Sequence, residues 1–255
     1  MPILSRMLYY DIKRRVKDGF FIGYNLIFPL VMIFLLGYLT SESYGTEFTG
    51  YHYYTVVMLP FCVAMAMITA AYAGKEDAYR KTALRLLFSP VTKAQIVLAK
   101  LLSCTIVISL CNIMVLSSAS LIIRLPIWGA FFPVILLLTI ETFATCAIGL
   151  FIGLGMKNFI IVKNILNIPI CAGGILAGSF YPIGTLNPKL NTVLHLSPLT
   201  WINKSIFLYV FDHAPSLLWK TAGICLAVGI IFTGLAVKFF KREEYSHGDL
   251  PGFDQ

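Results

Sequence analysis

Glu141, in the run LLLTIETFATC, is the single acidic residue in the middle of a long apolar stretch. A charge at such depth in a membrane costs roughly 2.5–3.5 kcal/mol, which makes an intramembrane carboxyl a functional candidate by default. It could be a proton site, a substrate contact, or a neutral, hydrogen-bonded residue between helices. Proton relays gather several such groups, whereas this chain offers one. Other reactive side chains do not converge. His52, His195, His213 and His247 are scattered over loops and tail, and no HExxH, GxSxG or DxDxDG stands out. No GxxxxGK(S/T) phosphate loop is present either, so the chain does not bind and hydrolyse ATP by that route. Cys62, Cys104, Cys111, Cys146, Cys171 and Cys225 all fall in apolar runs without a CxxC pair. They read as small packing residues rather than a disulfide framework or a zinc site, and no metal is expected. A hydrolytic or metal-dependent enzyme is disfavoured.

The scarce charges gather elsewhere. Charged residues make up 13% of the chain, yet KEDAYRKTALRLLFSPVTK holds seven: Lys75, Glu76, Asp77, Arg80, Lys81, Arg85 and Lys93. A helix is expected from Glu76 to Phe88, charged at its front and apolar at Leu84, Leu86, Leu87 and Phe88. Ser89 is expected to cap the next helix, with Pro90 in its first turn. Such a helix suits docking to a soluble partner, and it equally suits a solvated positive loop that sets topology.

The elements that position these groups follow from composition. The 255 residues are 58% hydrophobic, with mean hydropathy +0.81. Soluble domains run at about 45–50% apolar and 25% charged. Lipid is the simplest coat for such a surface. Spans are expected at Phe20–Leu39, Tyr54–Ala73, Ala94–Ile123, Gly129–Gly155, Phe159–Phe180 and Leu217–Phe239, each near the twenty residues a bilayer requires. Pro169 should kink the fifth. Sixteen Lys and Arg residues then fall on one side, including Arg6, Arg15, Lys75, Lys100, Lys157 and Arg242. Only Arg124, Lys189, Lys204 and Lys220 fall on the other, so both termini are expected in the cytoplasm. The net charge of +8 thus reads as topology and contact with anionic membrane lipids, not as nucleic-acid binding. No cleavable signal peptide is expected, because the first apolar run is too long.

Two amphipathic pieces complete the outline. Residues Ile3–Lys17 set Leu4, Leu8, Ile12 and Val16 four apart, with Arg6, Asp11, Lys13, Arg14 and Lys17 around them. The pattern fits a helix lying in the inner interface, as a topology anchor or a mechanical element. In 178–215, Asn187-Pro188 and Ser197-Pro198 each pair a cap with a helix-starting proline. A hairpin dipping into the outer leaflet is expected, with Trp201, Tyr181 and Tyr209 in the interfacial belt. Asn112, Asn164 and Asn167 read as interhelical hydrogen-bonding residues.

In order and spacing these pieces resemble the ABC exporter permeases of the type-2, drug and polysaccharide, class. EDAYRKTALRLLFSPVTKAQIVLAKLL carries the likeness through Thr82, Leu84-Arg85, Ser89-Pro90 and Lys100-Leu101-Leu102, with Lys81 where glycine is common. GSFYPIGTLNPKLNTVLHLSPLTW carries it through Gly178, Phe180, Pro182, Leu186, Pro188 and Ser197-Pro198-Leu199-Thr200. The resemblance implies an all-α polytopic membrane protein. It would have six transmembrane helices, an N-terminal elbow helix, a cytoplasmic coupling helix and an extracellular helical hairpin before the last span. The whole chain, 1–255, would be one transmembrane domain: elbow 2–18, membrane domain 20–239, cytoplasmic tail 240–255.

Under that resemblance Glu76, Arg80, Lys81, Thr82, Leu84, Arg85 and Leu87 dock a separate cytoplasmic ABC ATPase. Arg6, Lys13, Arg14 and Lys17 belong to the elbow that also touches it. ATP and Mg would be bound by that ATPase, present in two copies, and none by this chain. A second permease chain, identical or a sister, would complete the unit in the plasma membrane. Phe28, Pro29, Phe34, Phe61, Met65, Asn167 and Pro169 are the candidate translocation path. The segment after span one looks closer to drug and antibiotic exporters, so a lipophilic drug, antimicrobial or lipid-like cargo is expected; the alternative is a lipid-linked polysaccharide. An ion-driven secondary transporter would need several buried polar groups and usually an internal repeat.

Overall fold

The computed structural model describes residues 3–45, 48–79, 82–125, 127, 129–156, 159–181, 194, 197–240 and 245. Among these every regular element is helical. Five helices are long and apolar enough to cross a membrane: α2 (Gly19–Leu39), α3 (Gly50–Tyr79, apolar to Ala78), α5 (Lys93–Ile123), α6 (Phe131–Gly155) and α9 (Ser216–Lys238). Around them lie α1 (Ile3–Lys17), α4 (Ala83–Leu87), α7 (Phe159–Leu176) and α8 (Pro198–Phe211).

The expected fifth span is shorter than drawn. Its helix ends at Leu176, where Gly178 takes φ 73°. The Ser179 N–H then donates to the Gly174 carbonyl (2.9 Å) and the Gly178 N–H to that of Ile175 (3.0 Å), a glycine stop. Pro169 stays inside the helix, as does Pro60 in α3. In α2 the backbone widens into a π turn at Gly23–Ile27. There the Asn25 amide donates to the Phe21 carbonyl at 2.8 Å. The sequence had suggested an unbroken helix.

α3 and α6 form the centre of the bundle. A Cβ on Gly149 or Gly153 would collide with the carbonyl oxygens of Met67 and Ala71, so these two glycines, four apart, bring the backbones together. α9 packs on the far side of α6, and α1 lies against α5. The core has two main parts. One, around Tyr54, Met58, Phe61 and Ile206, sits where α3 meets α8. The other, around Phe21, Ile96, Leu150 and Tyr245, sits where α1, α5 and α6 meet the tail.

The cap expected at Ser89 falls instead on Thr92. Thr92 Oγ1 accepts from the Gln95 N–H (3.3 Å) and Gln95 Oε1 from the Thr92 N–H (2.9 Å). This reciprocal pair outcompetes Ser89, whose hydroxyl donates backward to the Leu86 carbonyl. Of the expected outer hairpin, Asn187-Pro188 lies outside the described residues. Ser197 precedes α8 as drawn, but its hydroxyl donates to the Gly173 carbonyl on α7 (2.9 Å) rather than capping its own helix. Leu199, Ile202, Ile206 and Val210 are buried, while Trp201 is exposed.

Candidate functional site

The helix expected from Glu76 to Phe88 is broken. Glu76, Asp77 and Tyr79 finish α3, Thr82 is not helical, and only Ala83–Leu87 forms a separate short helix. Thr82 causes the break by turning back: its N–H donates to the Asp77 carbonyl at 2.9 Å and its hydroxyl to Asp77 Oδ1 at 3.1 Å. Of the front charges of that expected helix, Asp77 is buried and Glu76 half-buried. Lys75 is buried too.

Asp77 is the centre of a junction. Lys100, from the second turn of α5, places Nζ 2.6 Å from Oδ2 and also donates to the Ala73 carbonyl (3.0 Å). Arg14 of α1 donates to Oδ1 at 3.1 Å, with its other terminal nitrogen on Asp11 at 3.0 Å. Tyr245, in the tail, donates to Oδ2 at 2.6 Å. Burial pushes the Tyr245 phenol well up, and the Asp77 carboxylate adds to it, so the group remains a donor. Beside the junction the Arg15 Nε donates to Ser103 Oγ (2.8 Å) under the Phe21 ring. One buried carboxylate thus ties together α1, α3, the approach to α4, α5 and the tail. Charges this deeply buried persist only when paired and hydrogen-bonded.

The same geometry revises the amphipathic reading of α1. The residues it buries are Asp11 and Arg15, with Met7 packed on the adjoining core. Val16, from the expected apolar stripe, is more than half exposed. Ile12 of that stripe packs on the same core and Leu4 and Leu8 are half-buried, so charged and apolar side chains share the inward side of α1. Arg6, Lys13 and Lys17 are exposed.

Beyond the junction α4 projects with Leu84 54% and Phe88 87% exposed, while Leu86 packs on the core. Arg80 and Lys81 lie outside the described residues, as do the side chains of Arg85 and Leu87. α4 thus presents exposed apolar residues beside a charged, buried footing. The sequence pattern of the ABC-2 type transporter family matches residues 4–211. The chain belongs to that family. It is an ABC permease subunit, a multi-pass membrane protein of a family that works with an ABC ATPase. Comparison with curated proteins gives no match.

In this ABC-2 permease the candidate path residues are dispersed. Pro29 and Phe61 are buried, and Phe61 meets Phe180 edge to face at 4.9 Å. Phe28 stacks on Tyr24 at 5.7 Å, and Phe34 leans on Tyr51 at 6.3 Å. Met65 and Asn167 are half-buried and Pro169 is exposed. Glu141 is 3% exposed, and neither carboxylate oxygen has a hydrogen-bond partner among the described residues. One helical position on, Thr142 Oγ1 accepts from the Asn112 amide (3.3 Å), joining α6 to α5. All six cysteines are free thiols. Among the described residues no three His, Cys, Asp or Glu side chains gather as a metal site.

The reading from sequence missed Asp77, Lys100, Arg15, Ser103 and Tyr245 as partners, because it took the basic ones as topology signals. A signal was available: acids and bases alternate at Asp11, Arg14, Arg15, Glu76, Asp77 and Lys100, all at helix ends that topology places on one side.

Proposed function

We propose that this permease is the membrane half of an ATP-driven exporter, both termini cytoplasmic, moving a lipophilic drug, antimicrobial or lipid-like compound outward. The working unit is two permease chains with two copies of a cytoplasmic ATPase, which holds ATP and Mg. α4 is the lever that the ATPase moves, and α1 is the elbow that moves with it. The observation that carries this reading is the Asp77 junction. It makes the lever's root, the elbow, α5 and the tail one hydrogen-bonded block. A force on α4 has a hydrogen-bonded route to α3 and α5 through Thr82, Asp77 and Lys100. Chains of packed, hydrogen-bonded groups are the physical means by which such coupling travels. The exposed apolar faces of α2 and α7, at Val31, Leu35, Ile165 and Ile168, offer surface for lipid and for the second permease chain.

The test is to purify the permease with its ATPase after Leu84→Asp or Arg85→Glu. Loss of an interface anchor should cut copurification and permease-stimulated ATP hydrolysis about tenfold or more, with membrane insertion intact. Unchanged stimulation and copurification would remove the docking role from α4. Export that survives ATP depletion but stops without a proton gradient would replace the ATP-driven reading.

A further inference from the structure

A hollow of about 460 Å³ opens where α1 passes into α2, walled by Arg15, Asp18, Phe20, Thr69, Tyr72 and Glu76. Its size falls within the roughly 300–1,000 Å³ of small-molecule sites. Its level is that of lipid headgroups, between the end of the interfacial helix and the first turn of a span. Three features describe its chemistry. At one wall is the Arg15 guanidinium, 3% exposed. Its Nε is bound to Ser103 and one terminal nitrogen lies 4.0 Å from Glu76, out of five N–H donors. At another wall is Asp18, half-buried; one of its oxygens accepts from the Phe20 and Phe21 N–H groups (3.0 and 3.3 Å). The third is an apolar edge, Phe20 set edge to face on Tyr72 at 6.3 Å, with Phe20 60% exposed.

The balance of charge is the informative part. The outer surface of α1 presents Arg6, Lys13 and Lys17, which attract anionic lipid without discrimination. Around the hollow stand Arg15 and two carboxylates, Asp18 and Glu76, the latter shared with Arg14 at 3.5 Å. It therefore matches a head bearing both signs rather than a bare anion. We propose that it seats the phosphoethanolamine head of a phospholipid from the leaflet in which α1 lies. The phosphate faces Arg15, the ammonium faces Asp18 and Glu76, and the first carbons of the tails run along Phe20 and Tyr72. Phosphatidylcholine has the same two charges but no N–H to give the carboxylates, and phosphatidylglycerol has no ammonium. The seated lipid bridges α1, α2 and α3 and fixes the depth of the elbow. This inference goes beyond the transport reading and does not depend on it.

The test uses the full chain in detergent micelles doped with equal dioleoyl phosphatidylethanolamine, phosphatidylcholine and phosphatidylglycerol, reading retained lipid by native mass spectrometry. Phosphatidylethanolamine should be retained about tenfold over either rival, the scale of one charge-assisted hydrogen bond. Asp18→Asn should bring that preference to about twofold or less while leaving the thermal midpoint unchanged, since Asn caps a helix as well as Asp does. Equal retention of the three lipids overturns the proposal. So does preference for phosphatidylglycerol, which would assign binding to the basic outer face, or for phosphatidylcholine, which would assign it to the aromatic edge. A preference that survives Asp18→Asn overturns it as well.

Discussion

The two ends of the bundle solve one problem in different ways. At the Asp77 end, residues from α1, α3 and α5 and the tail meet on charge: Arg14, Lys100 and the neutral Tyr245 phenol on a single carboxylate. At the opposite end the ties are neutral, and they run to one carbonyl in the last turn of α7 and to three just past its end at Leu176. Tyr53 donates to Gly178 (2.9 Å), Tyr54 to Phe180 (3.0 Å), Asn203 to Ala177 (3.1 Å) and Ser197 to Gly173 (2.9 Å). Phe207 and Phe211 stack around them with Tyr53 and Phe48. The last carbonyls of any helix lack partners within it, and in lipid they must find donors. The far end therefore answers a local need of the backbone. The Asp77 end also satisfies carbonyls late in α3, that of Ala73 by Lys100 and that of Asp77 by Thr82. The charges that Asp77 and Lys100 bring into the protein nevertheless go beyond any backbone need. Under the proposed function those charges supply directional bonds at the root of α4.

The sharpest way to break the comparison is Asp77→Leu, which leaves Lys100 buried without its anion while Arg14 keeps Asp11. A loss of about 3–5 kcal/mol is expected, read as a large drop in the unfolding midpoint. Asp77→Leu combined with Lys100→Met should recover most of that stability, because no charge then stands alone. Stimulated ATP hydrolysis should nevertheless stay impaired in the double variant. Full recovery of both would mean that the junction merely fills space.

Next in size is Tyr245→Phe, which removes one hydrogen bond to a charged group and should cost about 1.5–3 kcal/mol. The folded phenol titrates above its ordinary value, so its contribution is complete below the unfolded value of about 10 and fades only as pH rises beyond that. The difference between wild type and variant should stay constant from about pH 6 to 9. A difference that shrinks within that window would show the tail is not seated on Asp77.

Smallest is Tyr54→Phe at the other end. It deletes a neutral donor to a carbonyl and should cost about 1 kcal/mol in the same unfolding assay, with coupling unaffected. If Tyr54→Phe uncoupled ATP hydrolysis as strongly as Tyr245→Phe, the assignment of mechanical work to one end would fail.

Much of the fold was legible beforehand. α1 spans Ile3–Lys17 as expected, and α5 and α9 begin within one residue of the expected starts, since apolar runs of span length leave little choice. The site was less legible. Thr82 ends a helix that propensity would continue through Ala83 and Leu84, because its hydroxyl finds Asp77, a contact with no periodic signature. Arg15 and Lys100 looked like topology signals because a basic residue at a span end serves that role whether or not an acid faces it. Tyr245 stands over a hundred residues from Asp77, and no local pattern pairs them. The glycine pair Gly149 and Gly153 was readable in principle, as small residues four apart in a span.

What the sequence determined alone was class. Apolar length calls for membrane helices, and the Lys and Arg imbalance sets the expectation for their orientation. Those properties depend on sums along the chain, which need no contacts. Tertiary structure decided which charges are buried, that Asp11 and Arg15 face inward on α1, that Thr82 is not helical, and what Tyr245 holds. Such properties depend on distances of about 3 Å between residues far apart in sequence, and only folding brings those atoms together.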